Sequence, residues 1–404
     1  MTLDSVASSV LAEIDPEAIA RDTLEFVRVK SETGQELGGS LFLADLMRRE
    51  GFDPSLDEVE PNRPNVHCRI TGSGGGRTFL MNGHTDTIPI NQSAPPSRDG
   101  DWIIGRGAED MKGGLVAMVH AASALKKCGV HLNGDLWLTG VIGHETPIGK
   151  KEGPRRLIER LRAGTIQADA ILIVEGPCAI WAASLGSTIF AVTIRSPLGP
   201  IHTIKVPFAA NPARWAGRML QEFAQLEERF AGTPPHPLCG RQQINVGILH
   251  GGDYVNRLPT PIEIAGTWRW PPGKTLALIQ EQLRMLCDTL SRESGLEFSA
   301  RFEAAREPFE TPADHELVQA LRNAGQRVAG IPADVIGMGL VGDGNLYAND
   351  AGVPTVYFGP AHETAHSDLE RVSVSQLVHC AKVYALAAAE FCGVSGIPSS
   401  RTGT

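Results

Sequence analysis

The chain has 404 residues, 42% of them apolar and 21% charged, with a formal net charge of −9 at pH 7. That length implies two or three domains with a sizeable core, and an acidic chain without Lys/Arg runs argues against nucleic acid or an anionic membrane as partner and for a small molecule. Seven scattered cysteines without a C-x-x-C pair suit free thiols, and Met1-Thr2-Leu3-Asp4-Ser5 lacks the basic and apolar stretches of a leader, so with no bilayer-length apolar window the expectation is a cytoplasmic protein.

A first helix is expected over residues 16–28. Strands over 65–71 and 78–82, a helix after Lys112, a strand over 134–143, a helix over 153–163 and a strand over 170–174 follow. This alternation predicts an α/β domain whose mostly parallel sheet carries helices on both faces. From about Gly186 the rhythm changes: a strand over 187–195, an amphipathic helix over 212–230, strands over 243–249 and 262–270 around Gly251-Gly252-Asp253, a helix over 275–291 and a strand over 296–302. That β-α-β-β-α-β order is a split βαβ, ferredoxin-like α+β sandwich, read as an insertion over 185–302 into a domain made of 1–184 and 303–404. A helix over 315–329, a strand over 353–358 and a helix over 375–391 resume the α/β pattern, and the Ser/Pro/Gly-rich tail from Gly393 is expected to fray.

The chemistry concentrates where these strands end. Thr78-Phe79-Leu80-Met81 delivers His84 to the carboxyl edge of the sheet, where open α/β sheets place ligands. Asp86, two residues on along an extended segment, falls on the same side, so its carboxylate could take the other ring N–H and orient the imidazole. Asp110 precedes Met111-Lys112-Gly113-Gly114 and an apolar helix, where glycines permit close backbone approach and a carboxylate could bridge two cations. Glu145 and Glu175 follow two further apolar strands, and Val353–Phe358 runs into a segment holding His362 and His366. Taken singly, His84 could end a core strand and each acid could cap a helix. Five such endings on one sheet edge resist that explanation, because buried carboxylates need a compensating cation. Imidazole nitrogens mixed with carboxylate oxygens suit Zn²⁺, with Co²⁺ or Mn²⁺ as alternatives, in one or two sites.

These motifs, Gly83-His84-Thr85-Asp86, Gly107-Ala108-Glu109-Asp110 and Ala365-His366 followed by Glu370, resemble the M20 metallopeptidase family of deacylases, desuccinylases and carboxypeptidases over nearly the whole chain. The resemblance implies a zinc-peptidase-like catalytic domain with an inserted lid that dimerises. It implies that His84, Asp110 and Glu175 hold one metal, that Asp110, Glu145 and His366 hold a second, and that Asp86 acts beside them. It further implies that His202, in Gly199-Pro200-Ile201-His202, reaches a partner subunit's site to polarise the scissile carbonyl, and that Asn256 and Arg269 contact a substrate carboxylate, a task that suits the arginine fork. His362 is then a lining or structural residue.

The chain departs from that pattern at His144, which stands where the family has the first glutamate of a Glu-Glu pair, the base that takes a proton from water. Metal-bound water has a pKa of roughly 7, so a neutral imidazole could still accept a proton near neutrality. Two nearby dications would make His144 a poor acid for expelling a strongly basic amine, which favours leaving groups of low basicity. Glu175-Gly176-Pro177 replaces the usual Glu-Pro, and no small-residue run follows His202. The leading expectation is metal-dependent hydrolysis of an amide in a small carboxylate-bearing compound such as an N-acyl amino acid, with His144 shuttling the proton. Hydrolytic deamination of an activated amine and a metal- or ligand-binding homologue without chemistry are the alternatives.

Overall fold

The computed structural model describes residues 3–145 and 147–394, so the expected fraying of the tail from residue 395 onward lies outside the described residues. The chain forms two compact units. One comprises the chain up to Ala182 with Thr311–Ile336 and the chain from Leu346, and the other comprises Ala183–Glu310 with Gly337–Asn345.

In the first unit the strands run in the spatial order Ser55–Glu60, Arg63–Ile70, Leu136–Val141, Phe79–His84, Ala170–Ile173, Thr355–Tyr357 and Ile180–Ser184. The four inner strands Leu136–Val141, Phe79–His84, Ala170–Ile173 and Thr355–Tyr357 are mutually parallel, and the pairs outside them are antiparallel. The sheet is therefore mixed, parallel where long crossovers join strands and antiparallel where Ser55–Glu60 meets Arg63–Ile70 across a tight turn. Strand Ser55–Glu60 carries no buried face, which is why no apolar run announces it. Helix Leu37–Arg49 is likewise unannounced, since Gly38 and Gly39 open it and no side chain caps it.

Helices cover both faces of the sheet, as successive residues of the His84 strand show. A Cβ on Gly83 would meet Leu115 of helix Gly113–Lys127 at 2.7 Å, whereas Asn82, on the opposite face, donates to the Tyr347 hydroxyl at 3.1 Å. Helix Val374–Cys392 packs on Gly113–Lys127 and Glu316–Ala329. No helix among the described residues is long and apolar enough to cross a membrane.

The second unit is a four-stranded antiparallel sheet, in the order Gln243–Gly251, Ile262–Trp270, Gly186–Arg195, Glu297–Arg306, with helices Pro212–Ala231 and Leu276–Ser294. Phe190, Val192 and Ile194 point inward by strand alternation, and Met219, Phe223, Leu226 and Phe230 meet them at helical spacing. Asn211 and Thr275 accept backbone N–H groups at the two helix starts.

The parallel register brings the strand ends level: His84 lies opposite Val141, Asn82 opposite Ile173, and Ile173 opposite Tyr357. One glycine sets how close the next helix comes to that edge. A Cβ on Gly114 would sit 1.9 Å from the carbonyl oxygen of Val174, the residue before Glu175. Gly114→Ala is expected to destabilise the protein by about 1–3 kcal/mol through overpacking and to lower metal content by displacing Glu175. Denaturant unfolding and metal analysis check this against Gly217→Ala, whose Cβ meets nothing within 4 Å.

Candidate metal centre

The level strand ends bring the ligand candidates together. His84 Nε2 lies 2.9 Å from Asp110 Oδ1, while His366 Nε2 lies 3.3 Å from Asp110 Oδ2 and 3.1 Å from Glu145 Oε1. Asp110 thus presents each of its oxygens to a different imidazole, the geometry of a bridging carboxylate. Donor atoms of His84, Asp110 and Glu145 all lie within 4.8 Å of one another, and so do those of His84, His144 and Glu175. The His84 and His144 rings stack 4.0 Å apart and within 4° of parallel. A mixed set of nitrogen and oxygen donors this tight, buried except at the half-buried His144 and the exposed His366, fits a divalent cation of the zinc class.

The electrostatics show the same demand for positive charge. Burial acts to lower the His84 pKa, yet its hydrogen bond to Asp110 and the charges of Asp110, Asp86 and Glu145 lift it well above the histidine range. Hydrogen bonds that its ring donates to Asp110 and Glu145 raise His366 to about 10. Burial and the Asp110 charge push the Glu175 carboxyl up. Burial would raise Asp110 too, but hydrogen bonds accepted from His366 and His84 hold it well below the carboxylate range. Clustered acids that draw protons onto neighbouring imidazoles are acids a dication would satisfy.

Asp110 reaches this position because the helix is broken just before Gly113. Its φ/ψ of −123°, 91° is non-helical inside the turn Ala108–Lys112. The Asp86 side chain does not take up His84 as expected. His84 Nδ1 lies 2.9 Å from the Asp86 backbone oxygen and 3.7 Å from its Oδ1. The Asp86 carboxylate instead accepts the Glu145 N–H at 2.9 Å, the His144 N–H at 3.1 Å and the Thr33 hydroxyl at 2.9 Å. It ties the end of one strand to the loop after the next.

Two acids the sequence left without a role do similar work. Glu370 accepts the N–H groups of Glu109 and Asp110 at 3.1 and 3.0 Å and pairs with Arg106 at 2.6 Å. Glu109 accepts the N–H groups of Glu363 and Thr364 at 3.0 and 2.7 Å, fixing the segment that carries His366 in a left-handed conformation, φ 65°. The signal each acid offered was its place in the motifs around Asp110 and His366. Lys151, whose Nζ lies 3.1 Å from His144 Nδ1, offered none.

The remaining candidates belong to the second unit. His202 Nδ1 accepts the Ile204 N–H at 3.2 Å, and its Nε2 lies 3.3 Å from Asn256 Nδ2, so these two residues meet. Arg269 donates to the Gly339 carbonyl at 2.6 Å and joins neither.

A family model described as peptidase family M20/M25/M40 matches residues 80–390. The chain belongs to that family. It is 26% identical over 378 residues to N-formyl-4-amino-5-aminomethyl-2-methylpyrimidine deformylase of Bacillus subtilis, covering 85% of this chain and 86% of that one. It is also 26% identical over 387 residues to succinyl-diaminopimelate desuccinylase of Cereibacter sphaeroides, covering 92% and 97%. Its fold is similar to that of aminopeptidase PepT from Bacillus cereus, with a TM-score of 0.77 at 19% identity, covering 94% of this chain and 100% of the other. As an M20 metallohydrolase it acts on C–N bonds of small substrates, and the cluster is its candidate site for one or two divalent cations.

Because the folded pKa of His366 is raised from 6.5 to about 10, its contribution to the metal-free protein is complete below pH 6.5 and disappears as pH rises through about 10. Buried Lys112, drawn down to about 7, has the opposite sign, gaining stability as pH rises over the same range. The informative quantity is therefore the difference from His366→Gln. In thermal unfolding of the chelated proteins, the margin of the native chain over the variant should shrink between about pH 7 and 10, and a constant margin would contradict the assigned contacts.

Proposed function

We propose that this M20 enzyme hydrolyses the amide bond of a small carboxylate-bearing N-acyl compound, as a homodimer in the cytoplasm. The observation that carries the reading is Asp110, whose two oxygens face His84 and His366 separately amid two further buried acids. His84, Asp110 and Glu175 would hold one cation and Asp110, Glu145 and His366 the other, with Zn²⁺ first and Co²⁺ or Mn²⁺ next for this donor set. Cations held there supply a water acidified to a pKa of roughly 7 and a Lewis acid for the scissile carbonyl. Asp86 holds the loop bearing His144 and Glu145 in register. His144 acts at the reacting atoms and His202 at the carbonyl, while Asn256 and Arg269 take the substrate carboxylate. The relatives named for removing a formyl and a succinyl group support an acyl-amine substrate. All seven cysteines are free, which supports a reducing compartment.

Metal-loaded protein should release amine from a panel of N-formyl, N-acetyl and N-succinyl amino acids and amines. Asp110→Asn should lower kcat/KM at least about 10³-fold and lower bound metal, since it removes both the shared ligand and the activated water it supports. No amine release with Zn²⁺, Co²⁺ or Mn²⁺ would overturn the assignment.

The dimer reading rests on the edges of the inserted sheet. Edge strand Gln243–Gly251 leaves Ile248 and Leu249 54% and 58% exposed, whereas the other edge, Glu297–Arg306, is lined with Glu297, Arg301 and Glu303, the charges that keep edges apart. Sedimentation should show a dimer that Ile248→Lys with Leu249→Asp converts to monomer, and a native monomer at micromolar concentration would remove the pairing.

A further inference from the structure

Strand alternation puts Asn65, His67 and Arg69 on one face of the first unit's sheet, with Ser55 opposite His67, Asp57 opposite Asn65 and Trp137 opposite Arg69. Asn65 donates to the Gly153 carbonyl at 2.9 Å, so helix Glu152–Arg162 begins over this face. Beyond the last turn of that helix lies a cavity of about 230 Å³, walled by Arg160 and Thr165 on one side and by Asp57, His67 and Trp137 of the sheet on the other. None of these residues belongs to the metal centre.

His67 is only 5% exposed, yet neither of its ring nitrogens has a hydrogen-bond partner. Nε2 stands 3.7 Å from Asp57 Oδ2, beyond hydrogen-bond reach. The indole N–H of Trp137 is buried without a partner as well. Buried polar groups nearly always find partners, so two unpaired ones on the wall of one cavity point to something that fills it. We propose that this cavity is a binding site for a small oxyanion, a carboxylate or a phosphate, held by His67, Trp137 and Arg160.

The groups on offer are donors. Trp137 can only donate, and a neutral imidazole carries one N–H whichever nitrogen holds it. The Asp57 carboxylate does not compete for them, because it already accepts four bonds: Nε and Nη2 of Arg156 at 3.1 and 3.2 Å, and Nε and Nη2 of Arg160 at 3.0 and 2.7 Å. That clamp fixes the Arg160 guanidinium and leaves its Nη1 over, a charged donor set for carboxylate or phosphate oxygens. The carbonyl end of a helix repels anions, but here the Arg160 carbonyl is taken up by the Thr165 and Ile166 N–H groups at 3.1 and 3.2 Å and by the Thr165 hydroxyl at 3.2 Å. Glu159, the remaining acid nearby, is exposed and accepts from Arg156 at 3.2 Å, where solvent screens it. The volume falls short of the roughly 300–1,000 Å³ of sites for drug-sized ligands, which limits the occupant to a compound of few atoms.

The test titrates full-length zinc-loaded protein carrying ¹⁵N-tryptophan with sodium phosphate, acetate and succinate, against sodium chloride at matched ionic strength. The Trp137 indole signal, identified by its loss in Trp137→Phe, should move saturably with at least one oxyanion and stay in place with chloride. Arg160→Met and His67→Phe should each weaken that binding about 10-fold or more, the scale of one charge-assisted or buried hydrogen bond. Saturation at the lowest concentration by phosphate assigns a phosphorylated ligand, and by acetate or succinate a carboxylate; either result supports the site. The shift should persist in Asp110→Asn, and its loss there would place the effect at the metal centre and overturn the proposal. So would an indole signal that no oxyanion moves, that chloride moves equally, or whose binding curve is the same in both variants. The native titration decides by itself should a variant fail to fold.

Discussion

Negative charge gathered at the carboxyl ends of the parallel strands is the constraint around which the first unit is organised. Asp110, Glu145 and Glu175 are each less than a tenth exposed, and Asp86 is fully buried beside them. Two such charges 4 Å apart repel by about 4 kcal/mol at an effective dielectric of 20, so the arrangement persists only where positive charge or hydrogen-bond donors meet every oxygen. Imidazoles supply part of this, and the donor set is one that a divalent cation would complete.

Backbone amides supply the rest. Asp86 binds the amides of His144 and Glu145, Glu370 binds those of Glu109 and Asp110, and Glu109 binds those of Glu363 and Thr364. The segments carrying His84, Asp110, Glu145 and His366 are thereby tied to one another by carboxylates that bind backbone amides. Such cross-ties hold ligand atoms in place, a precision that loops alone would not provide. They also explain why so many acids sit in this one region: some form the candidate metal centre, and others hold the backbone that presents it.

The ligand candidates were legible one at a time, because His84, Glu145, Glu175 and His366 each follow an apolar strand and Asp110 precedes an apolar helix opened by two glycines. The inserted sandwich was legible because its strand and helix periods alternate cleanly, with Phe190, Val192 and Ile194 on one face and Met219, Phe223, Leu226 and Phe230 at helical spacing. Strand Ser55–Glu60 and helix Leu37–Arg49 were not, since one has no buried face and the other begins on paired glycines without a cap. The Asp86 side chain was read as the partner of His84, yet the backbone oxygen of the same residue takes that place, a choice made by local geometry that residue type does not encode.

What residue identity and spacing alone determine is the kind of chemistry. Histidines and acids gathered after several buried strands of one sheet point to a cation, and the inserted sandwich follows from the period of its apolar residues. What only the folded chain decides is how those groups are used, because that depends on hydrogen bonds between residues far apart in sequence. Glu109 reaching Thr364, Glu370 reaching Asp110 and Lys151 returning to His144 have no signature in the linear order.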